Sequence, residues 1–390
     1  MKKNKILIGC ILLAFAVCLQ PHFTQDQAKN ASASSHSTAN TPAISSATIN
    51  QEHHPQLLSS STLPELTPTW QHLDFPVLPS PRFFSSLTLN PINQVALLFG
   101  GINAAAGELN DLWLTDGLGW VQFQTPHSPE PRAGASLAYD EGSQMTVLFG
   151  GTGGGVYWGD TWLFNGIDWI QQQPPVSPSP RTMTSMAYDP EREIIILFGG
   201  LVDTGEFDEA VNEMWLWDGE TWQQQFPATL PPARWGAAMV YDHARKSILL
   251  FGGAPPGFLQ DTWLWNGAAW VEQHPVHSPA GRANFGMAYD AATQQVILWG
   301  GQTDPDVDST ETWAWDGQDW TLLPARPAPP EELAYGAQLV YLPGLQAVML
   351  YNDLREKIVL PDDSFIFTES SEVWVLTYRY VTYLPTLYRQ

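Results

Sequence analysis

The chain has 390 residues, enough for one large domain or two ordinary ones, and its 44% hydrophobic content with 18 tryptophans can supply a substantial core. With 40 acidic residues against 17 Lys and Arg, the surface would repel phosphate backbones, so nucleic acid is not expected as a partner. The 31 glycines and 32 prolines favour short strands joined by turns and argue against long helices.

The amino terminus has the pattern of a secretory signal. Three lysines within the first five residues precede an unbroken apolar run from Ile6 to Leu19, which is too short to span a bilayer comfortably. Residues 1–20 are therefore predicted to be a signal peptide, with no transmembrane span in the mature chain and a secreted or cell-surface location. A lipid anchor is the alternative, because Leu7 to Cys10 resembles a lipoprotein box with a short apolar approach.

Cys10 and Cys18 are the only cysteines and both lie within the predicted signal. The exported domain would therefore have no disulfide, no thiolate nucleophile and no cysteine-bound zinc. Residues 21–68 are rich in Ser, Thr, Ala, Asn, Gln and Pro without hydrophobic periodicity, which predicts a disordered linker. The acidity of the chain is interpreted as favouring solubility outside the cell, with an acidic binding face as the alternative.

The rest of the chain repeats one pattern five times and, in altered form, a sixth. In the second unit, seven residues lead from Arg132 to Tyr139 and eleven more to Gly150, and a later pair of tryptophans, Trp162 and Trp169, is again seven apart. Each unit contains four short apolar runs separated by turn residues, which predicts four antiparallel strands. Such sheets bury both faces when they are arranged radially, as in a propeller.

The run of Tyr-Asp, an apolar strand ending in Phe-Gly-Gly, Asp-Thr-Trp and a second Trp resembles the kelch repeat over residues 69–378. The resemblance implies an all-β fold, a six-bladed kelch-type β-propeller of the galactose oxidase-like superfamily with four antiparallel strands per blade. It also suggests an exported bacterial member of the family. Residues 379–390 form a carboxyl-terminal tail to which we assign no role.

The sixth unit departs from the repeat, with Ala334 where an arginine is expected and Asn352 and Asp353 in place of the glycines. It also lacks a second tryptophan, whereas Trp70 lies before the first arginine at the spacing of a second tryptophan. We therefore predict that residues 69–74 supply the fourth strand of the last blade. The alternative is that the strand-like run from Tyr378 to Leu384 supplies it.

Because neighbouring strands alternate in direction, the loops after the second and fourth strands open on one face. The links after the glycine pairs differ in every unit, so selective binding is expected there. Tyr157 and Trp158, which follow a run of glycines, and Phe258 are candidate ligand-stacking residues. The long sixth link supplies further candidates, namely Arg355, Lys357, Asp362, Asp363 and Phe365.

Two other sets of side chains are candidates for binding small ligands. Asp304, Asp306 and Asp308 alternate in the fifth link and offer oxygen ligands for calcium, although they lack the EF-hand spacing; no other cofactor is predicted. The repeated arginines are predicted to start the innermost strands and ring the central channel. Pairing with neighbouring backbone carbonyls or acidic residues between blades is the favoured role, and binding of a carboxylate or sulfate in the channel is the alternative. These arginines are Arg82, Arg132, Arg181, Arg234 and Arg282.

The favoured function is a secreted or cell-surface module that binds a protein or a carbohydrate ligand through the variable face. The alternative is a sugar-active enzyme of the sialic acid mutarotase (epimerase) type, which the resemblance also implies, with Glu331 or Glu332 as acid or base. A copper radical site of the galactose oxidase type is excluded, since its crosslinked cysteine has no counterpart in the domain. The residues otherwise show no catalytic motif, and the oligomeric state is left open.

Overall fold

The computed structural model describes residues 66–254, 257–304, 307–359 and 365–380. Among them the only helical element is a single 3-10 turn at Glu331–Leu333, and the remaining elements are strands, so the all-β prediction is confirmed. No helix in this part of the chain has the length and apolar character needed to cross a bilayer.

The strands form six four-stranded antiparallel sheets, here called blades 1 to 6 in the order of their first strands. The first strands are Ser86–Asn90, Ser136–Asp140, Ser185–Asp189, Ala238–Asp242, Gly286–Asp290 and Gln338–Leu342. The second strands are Val95–Phe99, Met145–Phe149, Ile194–Phe198, Ser247–Phe251, Gln295–Trp299 and Ala347–Val359. The third strands are Leu112–Thr115, Thr161–Phe164, Met214–Trp217, Thr262–Trp265, Thr312–Trp315 and Phe365–Tyr380. The fourth strands are Trp120–Phe123, Trp169–Gln171, Trp222–Gln225, Trp270–Gln273, Trp320–Leu323 and, in blade 6, Leu66–His72.

The core consists of six apolar clusters, one between each pair of neighbouring blades. Within the blades the second strands are almost wholly buried, as in Ala96–Phe99 and Val348–Tyr351, so their alternating side chains pack against the blade on either side. Leu98 of blade 1 and Met349 of blade 6, for example, share one cluster and are both 0% exposed. The sheets therefore close into a ring in which every blade buries both faces.

Blade 6 combines the two ends of the described chain. The strand Leu66–His72 pairs with Phe365–Tyr380, with Trp70 opposite Leu376. It starts and ends earlier than the predicted 69–74, and the residues from Tyr378 to Tyr380 belong to the third strand of the blade. The Trp70 indole N–H donates to the Thr312 hydroxyl of blade 5 at 2.9 Å, as the fourth-strand tryptophans of blades 3 and 5 do in their own interfaces.

The turns between first and second strands follow one design. In blade 2 the Asp140 carboxylate accepts from the backbone N–H groups of Gly142 and Ser143, at 2.9 and 3.3 Å, which is the local capping that Asp favours in turns. One residue in each of these turns has a positive φ, and these residues are Gln94, Gln144, Glu193, Lys246, Gln294 and Gln346. These turns lie on what we call the turn face.

The opposite side, the loop face, carries the connections after the second and fourth strands. Near it, six residues with positive φ encircle the channel and form what we call the girdle, namely Phe84, Gly134, Met183, Gly236, Asn284 and Gly336. In five of them the N–H donates to the carbonyl of the counterpart in the preceding blade, as from Gly134 to Phe84 at 2.8 Å. Among the described residues the bond between Phe84 and Gly336 is missing, and the Phe84 ring there meets Tyr335 at 5.4 Å. The girdle ties neighbouring blades together everywhere except at the seam between blades 6 and 1.

Candidate functional site

The repeated arginines lie inside the blades and do not surround the channel. Arg132 is 1% exposed and donates to the Gly150 carbonyl at 3.0 Å and to the Asp160 carboxylate at 2.6 Å, and Asp160 also accepts from the Trp162 indole N–H at 2.7 Å. The other four triads are Arg82 with Asp111 and Trp113, Arg181 with Glu213 and Trp215, Arg234 with Asp261 and Trp263, and Arg282 with Glu311 and Trp313.

This arrangement corrects the prediction of an arginine ring around the channel. Each arginine precedes its first strand, and its side chain extends across the same blade to the start of the third strand, which leaves no guanidinium for a ligand in the channel. The carboxylate partner of each side chain lies within the same blade, whereas the backbone pairs with the preceding blade, as from the Arg132 N–H to the Leu109 carbonyl at 2.9 Å. In place of the arginines, the girdle residues and the serines that follow them line the channel.

Blade 6 shows how the chain compensates for the missing arginine. Ala334 occupies the arginine position, and the corresponding carboxylate, Glu372, accepts instead from His72 Nε2 at 2.5 Å. The Asn352 side-chain amide donates to the Tyr335 carbonyl at 2.8 Å. His72 belongs to the closing strand, so this contact joins the two ends of the described chain.

Tyr157 and Trp158 both lie on the loop face, but they differ in whether the side chain could contact a ligand. The Trp158 ring covers the Arg132 guanidinium, with 5.2 Å between the Arg132 Cζ atom and the ring centroid, so it packs on its own blade. Tyr157 lines a cavity of about 480 Å³ between the links of blades 2 and 3 together with Asp203. Burial, with the nearby Asp208, raises the pKa of Tyr157 to about 12, so its phenol is neutral at ordinary pH. Of these two predicted residues, Tyr157 is the one that borders a cavity.

Short hairpins, which the sequence did not predict, occupy the links of blades 1, 2, 3 and 5. They are Ile102–Asn103 with Gly107–Glu108, Thr152–Gly153 with Val156–Tyr157, Leu201–Asp203 with Asp208–Ala210, and Gln302–Asp304 with Val307–Asp308, and a further short strand, Arg181–Thr182, joins the hairpin of blade 3. Phe258, in the link of blade 4, is half-buried, and its carbonyl approaches Gly281 so closely that a Cβ there would lie 2.1 Å away. The loop face therefore differs in shape from blade to blade.

The link of blade 6 is a long hairpin, which we call the arm. Its strands remain paired beyond the blade, from Asn352 opposite Glu372 to Val359 opposite Phe365. Arg355 and Lys357 lie on the first strand of the arm, whereas Asp362 and Asp363 lie outside the described residues. The arm brings Arg355, Lys357 and Phe365 onto one hairpin on the loop face.

Two exposed aromatic residues on the loop-face connections had not been singled out from the sequence. Phe207, in the hairpin link of blade 3, is 62% exposed, and Phe226, just after the fourth strand of that blade, is 80% exposed. Each occurs once, outside the repeat pattern, and this non-repeated occurrence could have identified them from the sequence. Solvent-exposed aromatic side chains of this kind are enriched as anchors in protein interfaces.

The predicted calcium ligands are only partly described. Asp304 is exposed, Asp308 is half-buried, and Asp306 lies outside the described residues. Burial, reinforced by Glu331, raises the pKa of Asp308. The described residues contain no group of three or more His, Cys, Asp or Glu side chains arranged to hold a metal ion.

The cavity within the central channel is the feature that sequence reasoning missed. Its narrow part near the loop face encloses about 190 Å³, and its wide part at the turn face encloses about 850 Å³. The wide part is lined by the recurring tyrosines of blades 2 to 6, which are Tyr139, Tyr188, Tyr241, Tyr289 and Tyr341. The His243 ring packs between Tyr241 and Tyr289, with ring centroids 4.9 and 5.2 Å away, and burial lowers the pKa of His243. The tyrosines were visible in the repeat, but their repetition alone could not reveal a shared cavity.

The rim of the wide part is acidic. Its basic side chains are already engaged, Arg192 with Asp189 at 2.6 Å, Arg245 with Asp242, and Lys246 with Glu191 at 2.8 Å. Other carboxylates in the same turns, and not bound to these cations, are Asp140, Glu141, Glu193 and Asp290. The turn face therefore favours a ligand of positive charge.

Six four-stranded antiparallel sheets packed around a channel define a β-propeller. A family model for the KLHDC2/KLHL20/DRC7 Kelch-repeats domain matches residues 66–223, so this part of the chain is similar to a kelch-repeat domain. Kelch-repeat domains mediate protein interactions. No curated protein shows a significant match to the chain.

Proposed function

We propose that this kelch propeller is a secreted or cell-surface module that binds a protein partner through its loop face. The observation that carries the proposal is the arm of blade 6, which continues past its blade on the loop face. The links of the other blades differ from one another, and exposed Phe207 and Phe226 lie on the same face. A rigid ring with individual links on one face suits selective recognition.

The position of the chain ends supports the same face. Leu66 pairs with Tyr380, and Tyr378 lies beside Asp290 and Thr293 in the inner turn of blade 5. Both ends of the described chain therefore lie at the turn face. A propeller held through residues 21–65 would leave its loop face free for a partner.

A paired set of variants tests the role of the loop face. In the first variant, Leu354–Ser370 is replaced by Asn-Gly, which joins the paired residues Asp353 and Ser371 through a two-residue hairpin turn. In the second variant, Phe207→Ser removes an exposed aromatic side chain. The control variant, Leu118→Ser, removes a still more exposed apolar side chain from the turn between the third and fourth strands of blade 1. Peptides selected from a random displayed library on the unaltered propeller serve as the probe.

We expect the selected peptides to share a sequence pattern and to bind about tenfold more weakly to the arm-less variant or to Phe207→Ser. Leu118→Ser should bind as the unaltered protein does, and all variants should keep their melting temperature. Peptides that bind the arm-less and Phe207→Ser variants with unchanged affinity would contradict a loop-face site. The export proposal is tested by the location of the full chain in cells and by the mass of its mature amino terminus, with chain retained inside the cytoplasm as the contradicting result.

The second candidate is the sugar-active enzyme, and one observation favours it. Asp308 lies close enough to Glu331 for the two carboxyl groups to interact, and a carboxyl with a raised pKa is suited to proton transfer. A glycan array measures retention, and proton resonance of a retained sugar measures anomer exchange. Retention without exchange supports a carbohydrate-binding module, whereas exchange lost in Glu331→Gln supports the enzyme.

The calcium site at Asp304, Asp306 and Asp308 stays a prediction. Oxygen ligands from three alternating carboxylates suit this cation in charge and hardness. Calorimetric titration of the propeller with calcium should release heat that Asp304→Asn removes. A titration without heat, together with an unchanged melting temperature, would eliminate the site.

A further inference from the structure

The wide part of the channel is large enough to hold a ligand. Its volume of about 850 Å³ lies in the range of cavities that accept small molecules or a few side chains of a peptide. Its floor is a ring of aliphatic and methionine side chains, and its wall carries the five tyrosines described above. The residues of this floor are Leu87, Leu137, Met186, Met239, Met287 and Leu339. An occupant of this cavity would need apolar or aromatic side chains.

The third strand of blade 6 ends on the turn face, the side of the ring on which this cavity lies. Leu376 pairs with Val348, near the start of the second strand, and the third strand continues past that point to Tyr380. The buried hydroxyl of Tyr378 lies beside Asp290 and Thr293, in the turn that also contributes Ala291 to the cavity rim. The chain therefore leaves this strand on the same face of the ring as the wide part of the channel.

The sequence of those residues matches the cavity in composition and charge. Ten residues can reach about 33 Å when extended, enough to cross the channel mouth. Their charged side chain is a cation, and among the described residues the rim carries carboxylates that form no ion pair with Lys or Arg, such as the exposed Glu141. The side chains concerned are Val381, Tyr383, Leu384, Leu387, Tyr388 and Arg389.

We propose that residues 381–390 turn back into the wide part of the channel and occupy it as an internal ligand. The apolar and tyrosine side chains contact the floor and wall, and Arg389 lies at the acidic rim. The segment would then compete with any external ligand of aromatic and basic character for the turn face. This site is on the opposite side of the ring from the loop face, so it does not depend on the proposed function.

Binding in trans tests the proposal. A labelled peptide with the sequence of residues 381–390 is titrated by fluorescence anisotropy into a chain that stops at Tyr380 and into the chain that keeps the segment. We expect saturable binding to the shortened chain and about tenfold weaker apparent binding to the longer one, because its own segment competes. Absence of saturable binding to the shortened chain would overturn the proposal.

Two matched variants locate the site. Ala291→Trp fills the cavity rim from an exposed position, whereas Ala104→Trp places the same ring at an exposed position on the loop face. The first should weaken peptide binding about tenfold and the second should leave it unchanged. Equal binding by both variants overturns the assignment to the channel.

A measurement on the unaltered chain tests the proposal without relying on the folding of any variant. Amide hydrogen exchange of residues 381–390 should be at least about tenfold slower in the chain than in the free peptide. Equal exchange rates overturn the proposal. It is also overturned if deletion of residues 21–65, instead of residues 381–390, opens the cavity to the labelled peptide.

Discussion

At the level of single residues, each repeated arginine holds three parts of its blade. Arg132 contacts the carbonyl that ends the second strand, the carboxylate that precedes the third strand, and its own loop through the Glu130 carbonyl. The guanidinium is wholly buried, so every lost contact leaves a polar group without water to replace it. The surface pair of Lys246 and Glu191 has a similar length, but both of its members are well exposed.

This contrast gives the first prediction. Arg132→Met should lower the free energy of unfolding by about 4 kcal/mol, because it leaves the Asp160 carboxylate and the Gly150 carbonyl without their donor. Lys246→Met should cost about 0.5 kcal/mol or less, since water replaces the lost partner. Urea unfolding of the two variants measures both values. A similar small loss in each would show that the buried triad contributes no more than a surface pair.

The glycine pairs give the second prediction. Gly150 has φ +70°, and a Cβ there would lie 2.5 Å from the Arg181 carbonyl of the next blade, whereas Gly166 has φ +90° and open space around it. Gly150→Ala should cost more than about 3 kcal/mol, and Gly166→Ala about 1–2 kcal/mol from backbone strain alone. Equal losses in thermal unfolding would contradict the close approach of the two blades at Gly150.

The sequence predicted the chemical type of the groups that the arginines contact, but not the blade in which those groups lie. A buried guanidinium needs carbonyls and carboxylates, which residue chemistry alone requires. The choice between the same blade and its neighbour depends on where the Arg132 side chain points after its backbone leaves the loop. That direction is set by the packed third strand and is not encoded in the spacing of the repeat.

At the level of elements, the closing strand was predicted from one spacing, that of Trp70 from the first arginine. The spacing worked because every fourth-strand tryptophan occupies the same interface position, which its contact with Thr312 confirms for Trp70. His72 could not be predicted as the partner of Glu372, since the two lie at opposite ends of the described chain. Nor could the two-residue hairpins, which are too short to show a hydrophobic period.

Trp70 provides the third prediction. It is 1% exposed in the interface of blades 5 and 6, so Trp70→Ala should lower the free energy of unfolding by about 4 kcal/mol and open the ring at its closure. Phe226→Ala, at a residue 80% exposed, serves as the control and should change stability by less than about 0.5 kcal/mol. Calorimetry on both variants provides the comparison. If Trp70→Ala melts like the control, the closing strand does not contribute to the stability of the ring.

At the level of the whole molecule, repetition made the ring predictable. Five units with identical spacing must adopt the same sheet, and equal sheets bury their faces only on one another. The wide cavity was not predictable in the same way, because each blade contributes a few residues such as Tyr188 or Met239 that look like ordinary core positions. The cavity on the axis exists only where residues from all the blades come together, so no single repeat reveals it.

The whole ring should also respond to acid in a defined direction, which is the fourth prediction. Burial opposes ionisation of Glu213 and Glu311, but hydrogen bonds from a tryptophan and an arginine outweigh it and lower the pKa of both. Their stabilising contribution is complete above the ordinary glutamate pKa of 4.5 and is lost as the pH falls through the lower folded-state values. Glu213→Gln should therefore lose less stability than the unaltered protein between about pH 5 and about pH 3.

Asp290 supplies the opposite control, because burial raises its pKa. Its folded form takes up a proton before the unfolded form does, so this group favours folding as the pH falls through the raised value and loses that contribution as the pH rises. Asp290→Asn should accordingly steepen the loss of stability on acidification. Urea titrations at a series of pH values measure both slopes, and parallel slopes in the two variants would contradict the assigned directions.

The pairing of Leu66 with Tyr380 has a mechanical consequence. The chain enters and leaves the ring at adjacent points on antiparallel strands, so a pulling force applied through the flanking segments would load one rung of the ladder at a time. The hydrogen bonds between these two strands would therefore break one after another at low force, whereas strands pulled in shear would have to break them all at once. In a single-molecule stretching trace, detachment of Leu66–His72 should precede the rupture of the other blades as a separate, weaker event.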